Sequence, residues 1–377
     1  MISDQNEPGG SLTRKVPAEL SGENYMNEAL VLARKGLGRT SPNPAVGCAI
    51  VKDGEIVGRG WHKKAGGPHA EIEALKEAGA KAKGATMYVT LEPCCHQGKT
   101  GPCTKAIIEA GITKVVVATR DPNQIVCGRG CEELRLAGIE VETGLLEEVA
   151  KRLNEAFEKY ITTKTPFVVA KAALTLDGKM SAADGSSKWI SCEESRRAGH
   201  GLRNIYDAIM VGANTLIKDN PLLTCRIEGG RNPIRVVIDS VLKVPLNAKV
   251  FNKEARTIVF TTTNAPKKRA AELKRKGVEV VVFSSKKKEV DLRKVMKELG
   301  KREIMSVMIE GGPTLLGSAF DAGLVDKVMF FIAPKVLGEG TSIRGNKIKD
   351  IKDAIQLDKV ETYGIGSDLL VLGYPKK

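Results

Sequence analysis

No stretch of this 377-residue chain approaches the roughly 20 consecutive apolar residues of a membrane-spanning helix. Residues 1–21 are polar, with proline and glycine, and lack the apolar core of a secretory signal. They read as a disordered lead-in. Eight cysteines are too sparse for a disulfide scaffold at this length. The expectation is a reducing, cytoplasmic setting with no membrane. Internal repeats and low-complexity tracts are absent as well.

Acidic residues are in deficit: 59 Lys and Arg stand against 45 Asp and Glu, a net charge of +14. The excess is concentrated between Lys267 and Arg302, with 14 basic residues against 5 acidic ones. Phe283 is the only aromatic there, so the segment lacks the stacking platform of single-strand binders. A solvated basic face is the plain reading. Steering of an anionic, phosphate-bearing small molecule comes second, and nucleic acid third. A content of 42% hydrophobic and 28% charged residues is ordinary for globular proteins. The length exceeds a single core and predicts two domains.

Against this background one constellation carries chemistry. His69-Ala70-Glu71 is followed by Pro93-Cys94 and then Cys103. One imidazole and two thiolates leave a fourth zinc position for water, whose pKa zinc lowers to about 7. A carboxylate off the metal can then carry the proton to departing ammonia, and Glu71 suits that role. Side chains two apart on a helix diverge by roughly 200°, so His69 and Glu71 would not naturally share the ion. The deaminase signature is H-x-E followed by P-C-x-x-C. Here eight residues separate Cys94 from Cys103, and Cys95 is a rival ligand. A structural site using Cys127 and Cys131 with Cys94 or Cys95 is the alternative, and it leaves Glu71 and Glu92 without a purpose. A deaminase acting on a nucleic-acid base is a second alternative.

The first half alternates elements: helix 24–37, strands 46–51 and 55–60 around the turn Asp53-Gly54, helix 69–79 and strand 86–91. Helix 104–110, strand 114–119, helix 129–137 and strand 139–142 follow. This order predicts a layered α/β domain with catalytic loops at strand ends. A helix over 147–160 leads to a boundary at Thr162–Pro166. The pattern then restarts with strand 167–174, helix 193–203, and strands 208–211, 234–238 and 257–260. Helix 266–276, strand 278–283, helix 292–299, strand 305–309, helix 313–322 and strand 327–332 complete it. Where a buried strand runs into Glu310-Gly311-Gly312-Pro313-Thr314, glycines and a helix N-terminus could hold a pyrophosphate, or form only a tight turn.

The motifs Ser41-Pro-Asn-Pro44, His69-Ala-Glu71, Thr90-Leu-Glu-Pro-Cys94, Gly98-Lys-Thr100, Pro102-Cys103 and Asp121-Pro-Asn123 resemble the deaminase half of the bifunctional riboflavin-biosynthesis deaminase–reductases. Lys171-Ala-Ala-Leu-Thr-Leu-Asp-Gly178, Ser187-Lys-Trp-Ile190, Val211-Gly-Ala-Asn-Thr215, Asp219-Asn-Pro221, Val237-Ile-Asp-Ser240 and Glu310-Gly-Gly-Pro-Thr314 are similar to the reductase half. The resemblance implies a cytidine-deaminase-like three-layer α/β domain over 22–146, a linker over 147–165, and a dihydrofolate-reductase-like α/β domain over 166–377. It implies zinc on His69, Cys94 and Cys103, and proton shuttling by Glu71. Asn43 would contact the pyrimidine, and Lys99, Asp121 and Asn123 the phosphoribosyl-bearing substrate. The family usually has serine where this chain has Cys95. In the reductase half, NADPH would meet Ala173, Trp189, Thr215, Asp219, Ser240 and the loop Gly312, Pro313, Thr314, Leu315, Leu316, Gly317 and Ser318. Ala173 stands where the family often has glycine. The reductase substrate would meet Lys171, Ser187, Arg203, Leu223, Arg226 and Glu310, with the arginines suited to its phosphate and Lys171 and Glu310 as proton-donor candidates. The partners expected are phosphorylated pyrimidines, without nucleic acid, and a homo-oligomer.

Overall fold

The computed structural model describes residues 21–95, 101–124, 127–285, 289–345 and 347–376. Residues 1–20 of the expected lead-in over 1–21, and Lys99, lie outside them.

The first sheet grows from a hairpin. Strands β1 (Gly47–Lys52) and β2 (Glu55–Trp61) are joined at Asp53 and Gly54, both with positive φ, the conformation a two-residue hairpin turn asks for. Helix α1 (Gly22–Arg34) precedes them. Helix α2 (Ala70–Ala78), β3 (Thr86–Val89), α3 (Cys103–Glu109), β4 (Lys114–Val117), α4 (Arg129–Leu136) and β5 (Glu140–Thr143) follow. The strand order is β2-β1-β3-β4-β5, with β1 antiparallel to both neighbours and the rest parallel. Period-two alternation sends Cys48, Ile50, Val115 and Val117 to the face covered by α2, α3 and α4. Ala49 and Val116 face the opposite side, beneath Met26, Ala29 and Leu30 of α1.

The single helix expected over 147–160 is two, α5 (Glu147–Leu153) and α6 (Glu155–Thr163), separated at Asn154. The Asn154 side chain accepts from the Ala45 N–H and donates to the Ala45 carbonyl, each at 2.9 Å. The break is therefore set by a long-range contact that helical periodicity does not encode.

The second sheet has nine strands. In chain order the elements are β6 (Phe167–Thr175), β7 (Ser181–Ala182), α7 (Glu193–Ile205), β8 (Ala208–Gly212), α8 (Ala213–Asp219) and β9 (Ile234–Ile238). Next come β10 (Thr257–Thr262), α9 (Lys267–Arg275), β11 (Glu279–Phe283), α10 (Leu292–Lys301), β12 (Ser306–Glu310) and α11 (Pro313–Asp321). The chain closes with β13 (Lys327–Ala333), β14 (Gly340–Thr341), β15 (Leu357–Ile365) and β16 (Asp368–Pro375). The sheet order is β11-β10-β9-β8-β12-β6-β13-β16-β15, parallel except at β16, which is antiparallel to β13 and β15. The short strands β7 and β14 pair separately. Both faces are covered: Leu216 of α8 and Leu273 of α9 pack on one, Val295, Leu299 and Leu316 of α10 and α11 on the other. Helix α8 and the β15–β16 hairpin were not anticipated from the sequence. Among the described residues, no helix is long and apolar enough to cross a membrane.

Candidate active sites

The end of β3, the start of α2 and the start of α3 converge on one point. His69 is the N-cap of α2, in extended backbone conformation, so its ring leaves the helix end rather than the helix side. Cys103 is the first residue of α3, and Cys94 lies on the loop after β3. Nδ1 of His69 is 3.2 Å from Sγ of Cys103 and 3.5 Å from Sγ of Cys94. The three donor atoms lie within 4.8 Å of one another, the one such metal-capable group among the described residues. An imidazole and two thiols so gathered fit a zinc ion with one position left for a small ligand.

The electrostatics suit a cation. A hydrogen bond from Cys103, with His69 beside it, pulls the Cys94 thiol down to about 4 against the effect of burial. Cys103 holds the proton of that pair and, buried near Glu71, is pushed up. A divalent ion favours both thiolates. Glu71, in the first turn of α2, is 3% exposed. Burial raises its carboxyl above the usual range, although the His69 charge opposes this. A carboxyl raised in this way is suited to taking and returning a proton near neutral pH.

His62, immediately after β2, was missed from the sequence. Its Nδ1 lies 2.9 Å from the Pro68 carbonyl, which can only accept, so Nδ1 carries the proton. Nε2 then accepts from Nδ2 of Asn43 at 3.1 Å. The His62 ring sits edge-on to His69, 5.4 Å between centroids. Asn43 is thereby anchored through its amide nitrogen. The available signal was Trp61-His62 closing a strand just before the His69 loop.

Asp121 and Asn123 form an Asx-turn, Oδ1 of Asp121 accepting from the Asn123 N–H at 2.8 Å. Beneath them lies Glu92, whose carboxylate accepts from the backbone N–H groups of Asp121, Gly128 and Cys131 at 3.2, 2.9 and 3.1 Å. A Cβ on Gly130 would stand 2.0 Å from the Pro93 carbonyl, so only glycine lets α4 approach this closely. Cys95 is outside the three-residue cluster. Cys127 is exposed, and burial pushes the Cys131 thiol up to about 12, an environment opposed to a thiolate ligand. The described residues of the basic segment lie mainly on α9, β11 and α10, with β11 at the edge of the second sheet, which the zinc cluster does not share.

In the second half, a cleft of about 1150 Å³ opens at the carboxyl ends of β6, β8, β9 and β12, where open parallel sheets bind ligands. Gly311 and Gly312 both have positive φ, and Pro313 opens α11. Of the expected cofactor positions, Ala173, Trp189, Thr215, Asp219 and Ser240 line the cleft, as do Gly312, Pro313, Thr314, Leu315 and Ser318. Leu316 and Gly317 do not. Helical rotation turns Leu316 into the core, and a Cβ on Gly317 would lie 1.8 Å from the Arg344 carbonyl. Of the expected substrate positions, Lys171, Ser187, Arg203, Arg226 and Glu310 line the cleft. Leu223, with φ of +56°, turns into the core, and Leu222 faces the cleft instead.

Arg203 reaches Glu310 through Nε and Nη2, each at 2.9 Å, while Nη1 donates to the Thr224 carbonyl at 3.0 Å. Nζ of Lys171 is 3.5 Å from the same carboxylate. Burial pushes the Glu310 carboxyl up, but the Arg203 and Lys171 charges outweigh it and hold it at about 2. Arg203 is thus committed inside the protein, while Arg226 is exposed. Both arginines line the cleft, Arg203 held by Glu310 and Arg226 open to solvent. Glu310 is held as an anion by Arg203 and Lys171. His200, one helical turn before Arg203 and also on the cleft, was not anticipated; burial, with Arg203 and Arg226, lowers its pKa.

Two family models match the chain. Residues 21–119 match the cytidine and deoxycytidylate deaminase zinc-binding region, and residues 166–371 match the RibD C-terminal domain. The riboflavin biosynthesis protein RibD of Aquifex aeolicus is 50% identical over 351 residues, covering 93% of this chain and 97% of that protein. A Thermotoga maritima diaminohydroxyphosphoribosylaminopyrimidine deaminase/5-amino-6-(5-phosphoribosylamino)uracil reductase is 43% identical. Its structure superposes with a TM-score of 0.83, covering 94% of this chain and 98% of that one. Acinetobacter baumannii RibD, 36% identical, superposes with a TM-score of 0.84 over 94% and 99% of the two chains. The halves therefore have cytidine-deaminase-like and dihydrofolate-reductase-like folds, and they imply zinc in the first and a nicotinamide cofactor in the second. With relatives of this identity matching along nearly their whole length, the chain belongs to the RibD family of bifunctional deaminase–reductases of riboflavin biosynthesis.

Proposed function

We propose that the chain converts 2,5-diamino-6-ribosylamino-4(3H)-pyrimidinone 5′-phosphate in two steps. Residues 22–146 would remove the 2-amino group hydrolytically. Residues 166–377, joined through 147–165, would then reduce the ribosyl group to ribityl. The observation that carries the reading is the convergence of His69, Cys94 and Cys103 beside the buried carboxyl of Glu71.

His69, Cys94 and Cys103 would hold zinc, and the second cleft would hold NADPH. Bound zinc makes water nucleophilic near neutral pH, and bound NADPH supplies the hydride received by C1′. Glu71 takes the proton of the attacking water and returns it to the leaving nitrogen, so that ammonia departs and a carbonyl remains. Asn43, anchored by His62, keeps its carbonyl oxygen for a ring N–H or amino group of the pyrimidine. Lys99, Asp121 and Asn123 are assigned to the phosphoribosyl end on the family resemblance.

In the second cleft, Gly311, Gly312 and the first turn of α11 cradle the cofactor phosphates, with Thr215, Asp219, Ser240 and Trp189 around them. Arg226 and Ser187 take the substrate phosphate end. Lys171, beside the ionised Glu310, is the proton donor when the ribose ring opens. Action in the cytoplasm as a homo-oligomer follows from the same resemblance.

A two-stage assay tests the proposal. Zinc-loaded protein should release ammonia without NADPH, and 340 nm absorbance should fall once NADPH is added. Ammonia alone would overturn the reductase assignment. Neither signal, from folded zinc-bound protein, would overturn both.

A further inference from the structure

The turn that carries Asn43 is not held by the deaminase half alone. Oγ of Ser41 donates to Oδ2 of Asp207 at 3.0 Å, and Asp207 immediately precedes β8 of the second sheet. The same oxygen accepts from the backbone N–H groups of Met305 at 2.9 Å and Ser306 at 3.1 Å. The Asp207 N–H donates to Oγ of Ser306 at 2.8 Å, and Nη2 of Arg231 lies 3.6 Å from Oδ1. The carboxylate is buried and fixed from several directions, so it presents Ser41 with an acceptor that does not move.

The neighbouring contacts run the same way. Arg39 donates to Oδ1 of Asn204 at 3.1 Å and to the Gly229 carbonyl at 3.0 Å. A Cβ on Gly38 would stand 2.2 Å from the Asn204 carbonyl, so the two backbones meet without room for a side chain. On the other side of the turn, Ala45 is clasped by Asn154. Residues 38–45 are therefore braced by the reductase half and the linker. From this braced segment Asn43 reaches His62, whose ring packs against His69.

We propose that Asp207, although it belongs to the reductase half, is a positioning residue for deamination, holding through Ser41 the turn from which Asn43 receives the pyrimidine. The inference rests on the proposed role of Asn43. It also makes the second half a structural component of the first active site, beyond carrying the next reaction.

The test compares kcat and KM for ammonia release in full-length wild type, Ser41→Ala, Ser41→Thr and Asn43→Ala, together with zinc content and reduction of the deaminated intermediate. Ser41→Ala removes the bond to Asp207 and leaves Asp207 its other partners. KM for deamination should rise about tenfold with kcat little changed, the order expected from one hydrogen bond to a buried carboxylate. Zinc content and reductase activity should stay at the wild-type level, and Ser41→Thr should restore KM. An unchanged KM in Ser41→Ala, alongside a raised KM in Asn43→Ala, overturns the inference while sparing the role of Asn43. Loss of zinc or of reductase activity in Ser41→Ala also overturns it, because the bond would then be a general structural one. A wild-type KM in Asn43→Ala overturns the role of Asn43 and the inference with it.

Discussion

Arg203 and Glu310 meet fork to fork inside the reductase cleft, Nε to Oε2 and Nη2 to Oε1, both at 2.9 Å. A planar guanidinium and a planar carboxylate pair this way with two parallel bonds, and the pair keeps Glu310 ionised where burial alone would neutralise it. The cleft thus contains a fixed anion in contact with Arg203 and, at 3.5 Å, with Lys171.

This has a pH signature. The folded carboxyl lies near 2, below its ordinary 4.5, so the stability it contributes is fully present above about pH 4.5. That contribution is lost as pH falls toward 2. Glu310→Gln leaves two buried cations without their anion and is expected to destabilise by roughly 3 kcal/mol at neutral pH. Denaturant unfolding at pH 7 and pH 3 checks it: the gap between wild type and variant should narrow at the lower pH. A gap of constant size would show that the ion pair is not its source.

Glu71 should separate the two activities. Glu71→Gln keeps the shape and the metal ligands but cannot accept a proton, so ammonia release should fall by about 10²- to 10⁴-fold. Zinc content should be unchanged, and reduction of an already deaminated substrate should proceed at the wild-type rate. Chelation of zinc should likewise abolish the first reaction and spare the second.

Glu92 accepts from the backbone N–H groups of Asp121, Gly128 and Cys131. Glu92→Gln turns one acceptor into a donor facing N–H groups, leaving a buried donor unsatisfied at about 1–3 kcal/mol. Because those N–H groups belong to Asp121, Gly128 and Cys131, KM for deamination should rise as stability falls. Thermal unfolding and deaminase kinetics on one preparation would check this. A stability loss with wild-type KM would make Glu92 purely structural.

Gly312 has φ of +84°, and a Cβ there would stand 3.0 Å from Oγ1 of Thr215. Gly312→Ala adds about 1–2 kcal/mol of backbone strain and narrows the cradle. KM for the nicotinamide cofactor should rise about tenfold, an energy of the same order, while ammonia release stays at the wild-type rate. Equal damage to both activities would point to misfolding instead.

Much of the architecture was legible because its signals are local. The unbroken apolar runs Cys48–Val51 and Val115–Val117 mark strands buried on both faces, and Pro313 after two glycines marks a helix start. The C-terminal hairpin was passed over although Gly366 interrupts two extended runs, because much of β15 is exposed and its apolar pattern is weak. Leu223, Leu316 and Gly317 were assigned to the cleft by motif. A motif gives neighbours in sequence, whereas helical rotation and a positive φ decide which side chain lines the cleft and which enters the core.

The residue types of His69, Glu71, Cys94 and Cys103, and their order along the chain, declare zinc-dependent deamination by themselves, since few other chemistries use that set. Tertiary structure decided how the set is supported: His62 behind Asn43, Glu92 beneath the Asp121 turn, Asp207 behind Ser41, and Glu310 committing Arg203. Each of those contacts joins residues that only folding brings together. A hydrogen bond depends on distance and direction in space, and one sequence read alone carries neither.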